Sequence, residues 1–439
     1  MRVLRLLLLV CAFALSACAT VPEAGRGGLS VSADGRHLVG EDGKPFFWLG
    51  DTAWELLHRA SADETELYLE DRRRKGFTVI QTVVLAELGG LRDPNPNGDL
   101  PLTGNDPARP NQAYFRHVDA VLAMAEAKGL YLALLPTWGD KFNKKWGEGP
   151  EIFTPDNARA YGSFLGRRYK GRPVIWVMGG DRNPETPAHL AIVNAMAEGI
   201  RAETGGRQPM TYHPQGGSRS WDFFADAAWI DFHMFQSGHS RRDEPNYRFT
   251  IAGRGAAPAR PVLDGEPRYE DHPIDWNVQK GWFDDSDVRQ AAWWSLLSGA
   301  AGHTYGNHNI WQMWQPGRQA ISAARTPWRG ALDHPGAAQM GIARRLFEAR
   351  GIGALEPAQD LIERTPEGPG HQRAGRSGDL LLVYTPMGEP VRVLVSASGG
   401  RWLDPRTGAE SPAGSGPLFD PPAAPARGND WVLELRVNP

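Results

Sequence analysis

Cysteine is nearly absent from this sequence, and its two copies, Cys11 and Cys18, lie close to the amino terminus. If that end is removed during export, disulfides, cysteine nucleophiles and cysteine-ligated metals are all excluded. Positive charge is not in excess either, because the formal net charge is -3 over 439 residues. A basic surface is what nucleic-acid binding requires, so nucleic acid is excluded as a partner. Beyond the amino terminus, no apolar run is long enough to cross a bilayer.

The amino terminus has the pattern of an export signal. Two arginines precede an apolar run over residues 6–15, which is too short to be a transmembrane helix. The segment Leu15-Ser16-Ala17-Cys18 resembles a bacterial lipobox, in which the cysteine is lipidated, and a plain secretory signal is the alternative. We expect a lipoprotein signal over residues 1–18 and a tether over 19–34. The lipid on Cys18 would then be the only membrane attachment, at the outer membrane.

Strand-like and helix-like stretches alternate from about residue 35 to residue 310. Apolar residues at helical spacing predict helices over Asp63–Lys75, Tyr114–Lys128 and Pro155–Tyr169. Each ends at a Lys-Gly pair, which places a cation and then a left-handed cap residue at the helix end. Eight apolar runs predict strands at Phe46–Gly50, Phe77–Leu85, Leu130–Pro136, Val174–Met178, Met210–His213, Ile230–Phe235, Val262–Leu263 and His303–Gly306.

Eight such strands with helices between them predict an α/β fold, a (β/α)8 TIM barrel over residues 35–350. A doubly wound open sheet is the alternative, and it is disfavoured because no glycine-rich phosphate loop follows an early strand. After about residue 350, short strands at Leu380–Tyr384, Val391–Ser396 and Trp431–Val437 alternate with Gly/Pro/Ser-rich segments. This change predicts a small all-β sandwich domain over residues 351–439.

Two carboxylates follow predicted barrel strands. Asp181 comes after Val174–Met178 and two glycines, and Glu266 comes after Val262–Leu263 in an Asp-Gly-Glu sequence. The carboxyl ends of barrel strands are where functional residues lie. Each acid alone is equally compatible with a turn residue or a surface ion pair. Together, two carboxylates that face each other can cleave a glycosidic bond, one as acid and the other as nucleophile or base.

Aromatic, histidine and amide side chains cluster at the same strand ends. Flat apolar faces beside hydroxyl-binding polar groups are what a sugar site needs. Most of the 16 tryptophans are nevertheless expected to be packing residues, and a single histidine is more often structural than functional. The segments concerned are Trp48–Trp54, Pro136–Gly139, Tyr212–Pro214, His233–Gln236 and His303–His308.

Four motifs, in order, resemble those of the apiosidase-like glycoside hydrolases, a family of bacterial (β/α)8 enzymes. The motifs are Phe47–Trp54 (FWLGDTAW), Val177–Asp181 (VMGGD), Asp264–Pro267 (DGEP) and Gly302–Gly306 (GHTYG). The segment Trp402–Gly408 is similar to the collagen-binding-type β module that follows the barrel in that family. The resemblance covers nearly all of the chain after the tether.

This resemblance implies that Asp181 is the general acid/base and Glu266 the partner carboxylate, a nucleophile in a retaining reaction. Many related barrels have Asn-Glu where this chain has Gly180-Asp181, so retention is less firmly implied than the pair itself. A plant-type pectic or microbial carbohydrate is the implied substrate, apiose is the sugar known for the family, and no cofactor or metal is needed. The implied substrate contacts are Asp51, Trp54, Trp138, His213, His233, Gln236, Tyr305 and His308.

Two other functions are compatible with the residues. A non-catalytic surface lipoprotein could use the aromatic groups to bind glycan or an extracellular matrix, although it has no use for two convergent carboxylates. A metal-dependent hydrolase could use His213, His233, His303 or His308, although the first strand lacks the His-x-His that such barrels often carry. The sequence predicts neither the linkage cleaved, nor exo or endo action, nor the oligomeric state.

Overall fold

A strand followed by a helix is repeated eight times in the computed structural model, which describes residues 28–437. The strands, β1 to β8, are Trp48–Thr52, Val79–Leu85, Tyr131–Thr137, Val174–Gly179, Met210–His213, His233–Phe235, Val262–Asp264 and Gly302–Tyr305. The helices that follow them, α1 to α8, are Ala62–Lys75, Gln112–Ala127, Pro155–Tyr169, Pro187–Thr204, Trp221–Phe224, Asn246–Arg254, Asp285–Leu296 and Pro335–Arg350. Short α-helices also occur at Leu56–Arg59, His308–Trp311 and Trp328–Ala331.

Local capping explains where several of these helices begin and end. Helix α1 starts with a capping box, in which Ser61 accepts from the amide of Glu64 and the Glu64 side chain accepts from the amide of Ser61. It ends at Gly76, whose φ of 89° is the left-handed conformation that glycine adopts without strain. Gly129 and Gly171, at the other two predicted Lys-Gly ends, also have positive φ.

The parallel strands close into a barrel, which confirms the predicted fold class. Six of them form a continuous ladder in the order β8-β1-β2-β3-β4-β5, and β6 pairs with β7. Between β5 and β6, and between β7 and β8, one backbone hydrogen bond connects the strands. The amide of Asp231 donates to Met210 O at 2.8 Å between β5 and β6, and the amide of Ala301 donates to Val262 O at 3.0 Å between β7 and β8.

Alternate residues along each strand point to opposite sides of the barrel wall. Trp48, Phe232 and Met234 pack inside the barrel, where the indole N–H of Trp48 donates to Thr304 Oγ1 at 3.0 Å. Residues of the other parity, such as Leu49 and Tyr212, pack outward against the helices. This alternation decides which strand residues can reach a site inside the barrel mouth.

A small antiparallel sheet closes the amino-terminal end of the barrel. Its strands are Ser30–Val31, Leu38–Val39 and Pro45–Phe46, and Leu29 and Leu38 are buried in the interior cluster with Trp48. Residues 28–34 therefore belong to the folded unit, which corrects the predicted extent of the tether. The physical reason is that these leucines cover apolar side chains that the open end of the barrel would otherwise expose.

The carboxy-terminal domain is built from antiparallel strands, as predicted. Its strands, β9 to β16, are Glu356–Pro357, Arg373–Ser377, Leu380–Thr385, Val391–Arg392, Ala397–Leu403, Glu410–Pro412, Leu418–Phe419 and Trp431–Val437. The main sheet has the order β9-β10-β11-β16-β13-β14, and β12 pairs with β15 in a small second sheet.

Buried contacts join this domain to the barrel. Arg289 of α7 forms an ion pair with Asp430 at 2.7 Å, and each side chain is only 1% exposed. Tyr384 of β11 stacks on Trp293 with 6.1 Å between ring centroids, and the indole N–H of Trp294 donates to His371 O at 2.8 Å. The β domain is thus packed against the barrel and not merely linked to it.

The predicted signal over residues 1–18, the lipidation site Cys18 and the first part of the tether lie outside the described residues. Among residues 28–437, no helix combines the length and apolar character needed to cross a membrane.

Candidate active site

A cavity of about 550 Å3 opens at the carboxyl ends of the barrel strands. Within three residues of the end of each of the eight strands, one side chain lines the cavity. In strand order these are Trp54, Glu87, Trp138, Asp181, Gln215, Gln236, Glu266 and His308. The longer loops add further walls, among them Trp146, His239, Tyr269, His272, Trp276 and Trp311. The cavity is therefore centred on the barrel axis, where functional sites of this fold lie.

Asp181 reaches the cavity through an unusual backbone turn at the end of β4. Gly179, Gly180 and Asp181 all have positive φ, at 88°, 120° and 50°. A Cβ on Gly180 would lie 2.9 Å from the Trp138 ring, and one on Gly179 would lie 2.5 Å from His213 O. Both glycines are therefore required, and Asp181 itself lies in the left-handed region, which Asp tolerates better than most non-glycine residues.

The surroundings of Asp181 favour its protonated form. Burial and the nearby charge of Glu266 raise its pKa to about 6, although Arg182 opposes the shift. Arg182 Nη1 lies 3.2 Å from Asp181 Oδ2 and donates to Asp181 O at 2.7 Å. The backbone amide of Asp181 donates to His213 Nδ1 at 3.3 Å.

The surroundings of Glu266 favour its ionised form. Burial alone would raise its pKa, but the histidines His213 and His239 outweigh burial and lower it to about 2. Their Nε2 atoms lie 3.1 Å from Glu266 Oε2 and Oε1, respectively. Because His213 Nδ1 accepts a hydrogen bond from the Asp181 amide, Nε2 carries the hydrogen in the neutral ring, and this atom lies on the Glu266 side.

The two carboxyls thus have pKa values shifted in opposite directions. A carboxyl with a raised pKa can act as the acid, and a neighbouring carboxyl with a lowered pKa can act as the nucleophile or base. A third carboxyl, Glu87, also lines the cavity, and burial together with the charges of Asp181 and Asp140 raises its pKa to about 8. The Glu87 carboxyl is therefore neutral near pH 7.

The cavity wall offers both apolar faces and unsatisfied polar atoms. Trp54 and Trp138 lie with their ring centroids 5.2 Å apart at its base. Trp138 Nε1 and Gln236 Oε1 are buried without a hydrogen-bond partner among the described residues. Buried polar atoms are rarely left unpaired, and a hydroxyl can both accept from the first and donate to the second. A hydroxyl-rich ligand fits this wall.

The structure brings together most of the residues predicted for the site. Asp181 and Glu266 line one cavity, as do Trp54, Trp138, Gln236 and His308. His213 lies directly behind them and touches both carboxylate residues. His308 is fixed by its ring nitrogens, since Nε2 is 3.0 Å from Ile321 O and Nδ1 accepts from Trp311 Nε1 at 3.2 Å.

Asp51, His233 and Tyr305 do not lie in the cavity, which corrects their predicted role as substrate contacts. In each strand, these residues alternate with the residues whose side chains point into the barrel, so their own side chains point outward toward the helices. Asp51 pairs with Arg72 of α1 at 2.5 Å, inside a fully buried site.

The other two misplaced residues also have structural partners. Tyr305 donates its hydroxyl to Glu270 Oε2 at 2.6 Å. His233 Nδ1 is 3.1 Å from Ser220 Oγ, and burial lowers its pKa to about 4.

Many cavity residues were not predicted, among them Glu87, Trp146, His239, His272 and Trp276. Glu87 lies two residues after the end of β2, so the expectation that functional residues follow barrel strands also applies to it. His239 and His272 stack with 4.4 Å between ring centroids although they are far apart in sequence, and no local pattern signals that contact.

The four histidines that a metal-dependent hydrolase could use contact different residues and do not converge on one point. His213 faces Glu266, His233 packs on Trp221, and His308 packs on His272. His303 is fully buried, and burial lowers its pKa to about 3. Within residues 28–437, no group of three or more His, Cys, Asp or Glu residues is arranged to hold a metal ion.

Comparison with known proteins identifies two family models that match the chain. The model described as "Apiosidase-like, catalytic domain" matches residues 32–353, and the model described as "Putative collagen-binding domain of a collagenase" matches residues 357–436. A search of curated proteins found no match.

Two solved structures are similar over nearly their whole length. One, described as "Glycoside hydrolase", is 33% identical with a TM-score of 0.85, and the alignment covers 94% of this chain and 97% of that chain. The other is the crystal structure of a glycoside hydrolase family 5 from Bacteroides vulgatus ATCC 8482. It is 31% identical with a TM-score of 0.86, and the alignment covers 94% of each chain.

Proposed function

The chain belongs to the apiosidase-like glycoside hydrolase family, and we propose that it cleaves its substrate by a retaining mechanism with Asp181 and Glu266. The observation that carries this proposal is the opposite environment of two carboxyls in one cavity. Burial and a neighbouring anion raise the pKa of Asp181 to about 6, whereas two histidines lower the pKa of Glu266 to about 2. Between about pH 2 and pH 6, Glu266 is therefore ionised and available as a nucleophile while Asp181 is protonated.

The reaction then has two displacement steps. In the first, Glu266 attacks the anomeric carbon while the Asp181 proton passes to the glycosidic oxygen, so the alcohol leaves and a glycosyl ester forms. In the second, ionised Asp181 takes a proton from water, the water oxygen attacks the anomeric carbon, and Glu266 is released as a carboxylate. Two inversions at the same carbon give net retention.

The charges around the cavity favour a neutral glycosyl unit next to Glu266. Glu266 is ionised, Glu244 also lines the cavity, and no Lys or Arg is among its described lining residues. A uronate next to Glu266 would place a second negative charge beside an ionised carboxylate, and the Arg182 guanidinium is already occupied by Asp181 and Trp146. We therefore propose a neutral sugar such as apiose, released from a pectic or microbial glycan.

We also propose that the protein is exported and held at the outer membrane through a lipid on Cys18. The lipobox-like segment Leu15-Ser16-Ala17-Cys18 supports this proposal. An enzyme held there would meet carbohydrate from outside the cell, which agrees with a glycan as substrate.

The central test is a hydrolysis assay on a panel of aryl glycosides, apiosides among them, and branched pectic oligosaccharides. We expect Asp181→Asn to lower turnover by about 100- to 10,000-fold, the range for loss of a general acid, and Glu266→Gln to lower it at least as far. Asp222→Asn is the matched control, because Asp222 is an exposed acid on α5 paired with Arg219 and remote from the cavity. Circular dichroism of every variant checks folding.

Retention is tested separately. Proton NMR of the first-formed sugar should show the anomer of the substrate, and azide should accelerate Asp181→Ala on an activated aryl glycoside by replacing water as the attacking group. An inverted first product would contradict the nucleophilic role of Glu266. Wild-type rates in both carboxyl variants would contradict the site, and binding across the panel without any turnover would favour a non-catalytic glycan-binding protein.

A further inference from the structure

Two tryptophans at the cavity differ from the others in being exposed. Trp146, in the loop after β3, is 38% exposed and Trp276, in the loop after β7, is 56% exposed, whereas Trp54 and Trp138 at the base are buried. A large exposed indole costs free energy unless a ligand or partner covers it. Both rings line the cavity, so a ligand there would cover them.

The position of Trp146 is determined by the residue that also binds Asp181. The Arg182 guanidinium lies 3.8 Å from the centre of the Trp146 ring, and Arg182 Nη2 donates to Trp146 O at 2.5 Å. Through Nη1, the same guanidinium contacts the carboxyl and the carbonyl of Asp181. The Arg182 cation thus lies directly against the ring and Lys145 Nζ lies 5.8 Å from its centre, while the indole still lines the cavity.

Further contacts hold the loop that carries Trp146. The amide of Gly149 donates to Asp140 Oδ2 at 2.7 Å, and Lys145 pairs with Glu185 at 2.5 Å. A Cβ on Gly147 would lie 2.9 Å from Asp140 Cβ and 3.0 Å from Arg182 Nη2, so the loop packs closely on that guanidinium. The exposed indole is therefore presented from a braced loop.

Trp276 is connected to the other carboxyl of the proposed pair. Its ring contacts His239 and His272 at centroid distances of 5.9 and 5.6 Å, and His239 binds Glu266. One exposed tryptophan is thus connected to the proposed acid, and the other to the proposed nucleophile.

The chemistry distinguishes the two sides. In the reaction proposed above, on which this inference rests, the acid must contact the glycosidic oxygen and so lies beside the leaving group. The nucleophile lies beside the glycosyl unit that becomes bound to the protein. We infer that Trp146 is the stacking platform for the sugar residue on the leaving-group side, and that Arg182 holds this platform and Asp181 in a common position.

The test compares two substrates that differ only in the leaving group. One is a disaccharide of the sugar that the glycoside panel identifies, and the other is the fluoride of that sugar, apiosyl fluoride if the sugar is apiose. Fluoride is too small to reach a platform, so its hydrolysis reports on the glycosyl side alone. We expect Trp146→Ala to lower kcat/KM for the disaccharide by about tenfold. The fluoride should be hydrolysed at the wild-type rate, and Trp146→Phe should restore most of the loss.

A purely structural role would have a different signature. If Trp146 acted only through Arg182 and Asp181, its removal would shift the alkaline limb of the pH profile for the disaccharide, whereas loss of a platform lowers kcat/KM at every pH and leaves that limb in place. A shifted limb, or an unchanged ratio of the two kcat/KM values in Trp146→Ala, would overturn the inference while the proposed function stands. A wild-type protein that hydrolyses neither substrate would overturn the proposed function as well.

Discussion

The ion pair between Arg289 and Asp430 provides the sharpest test of how the two domains depend on each other. Arg289 Nε and Nη2 contact the Asp430 carboxyl at 2.9 and 2.7 Å, and Tyr384 donates to the same carboxyl at 3.0 Å. Both charges are almost fully buried. Asp430→Asn leaves the guanidinium facing a neutral amide, and removing one partner of a buried pair destabilises by about 3–5 kcal/mol.

The lower end of that range is expected here, because Arg289 keeps two other partners. Its Nη1 still donates to Asp285 Oδ2 at 2.5 Å and to Gln339 Oε1 at 2.7 Å. The predicted loss in the free energy of unfolding is therefore about 3 kcal/mol. Urea unfolding followed by tryptophan fluorescence measures it, since Trp293 stacks on Tyr384 at this interface.

Two variants separate charge from packing in this experiment. Asp379→Asn removes an exposed partner of Arg436 in the same domain, and surface pairs contribute about 0–1 kcal/mol. The double variant Arg289→Met with Asp430→Leu removes both charges and should recover much of the stability that Asp430→Asn loses. If Asp430→Asn were no more destabilising than Asp379→Asn, the pair would not be the buried contact between the domains described above.

Two further predictions concern pH dependence and location. Because the pKa of Asp181 is raised to about 6 and that of Glu266 lowered to about 2, kcat/KM should fall as the pH rises through about 6 and as it falls through about 2. Initial rates from pH 2 to 8 measure this profile, and an optimum above pH 7 would contradict the assignment of the two groups. Replacing Cys18 with serine should move the protein from the membrane fraction to the soluble fraction of cells that process lipoproteins. Equal partition of variant and wild type would contradict the anchor.

Much of the barrel could be predicted because its local signals agree with one another. The Lys-Gly ends of the first three helices are true ends, and Gly76 has the left-handed conformation that such a cap requires. The predicted strands differ from the observed ones by only a few residues at each end. Asp181 and Glu266 could be predicted to lie at the barrel mouth because each follows a predicted strand, and Gly179 and Gly180, which have positive φ, mark the turn before Asp181.

Asp51 and Tyr305 show where the same reasoning fails. Both lie near the carboxyl end of a strand, but their side chains point outward to Arg72 and Glu270. A parallel strand covered on both faces has no alternation of polar and apolar residues, so the sequence does not reveal which parity faces the axis. The cavity residues in the loops could not be predicted for a different reason. His239, for example, contacts His272 only through tertiary packing.

His213 connects the backbone amide of Asp181 to the carboxyl of Glu266, and the charge of Glu266 explains how one cavity can serve both steps of the proposed reaction. Its Nδ1 accepts from the Asp181 amide, which leaves Nε2 to stabilise Glu266 as an anion, and that anion in turn favours the proton on Asp181. Once Glu266 has become an ester, its negative charge is gone and the pKa of Asp181 falls. Asp181, having given up its proton, is then stable as the carboxylate that the second step needs as a base. The change of role thus follows from the change of charge, without any movement of the backbone.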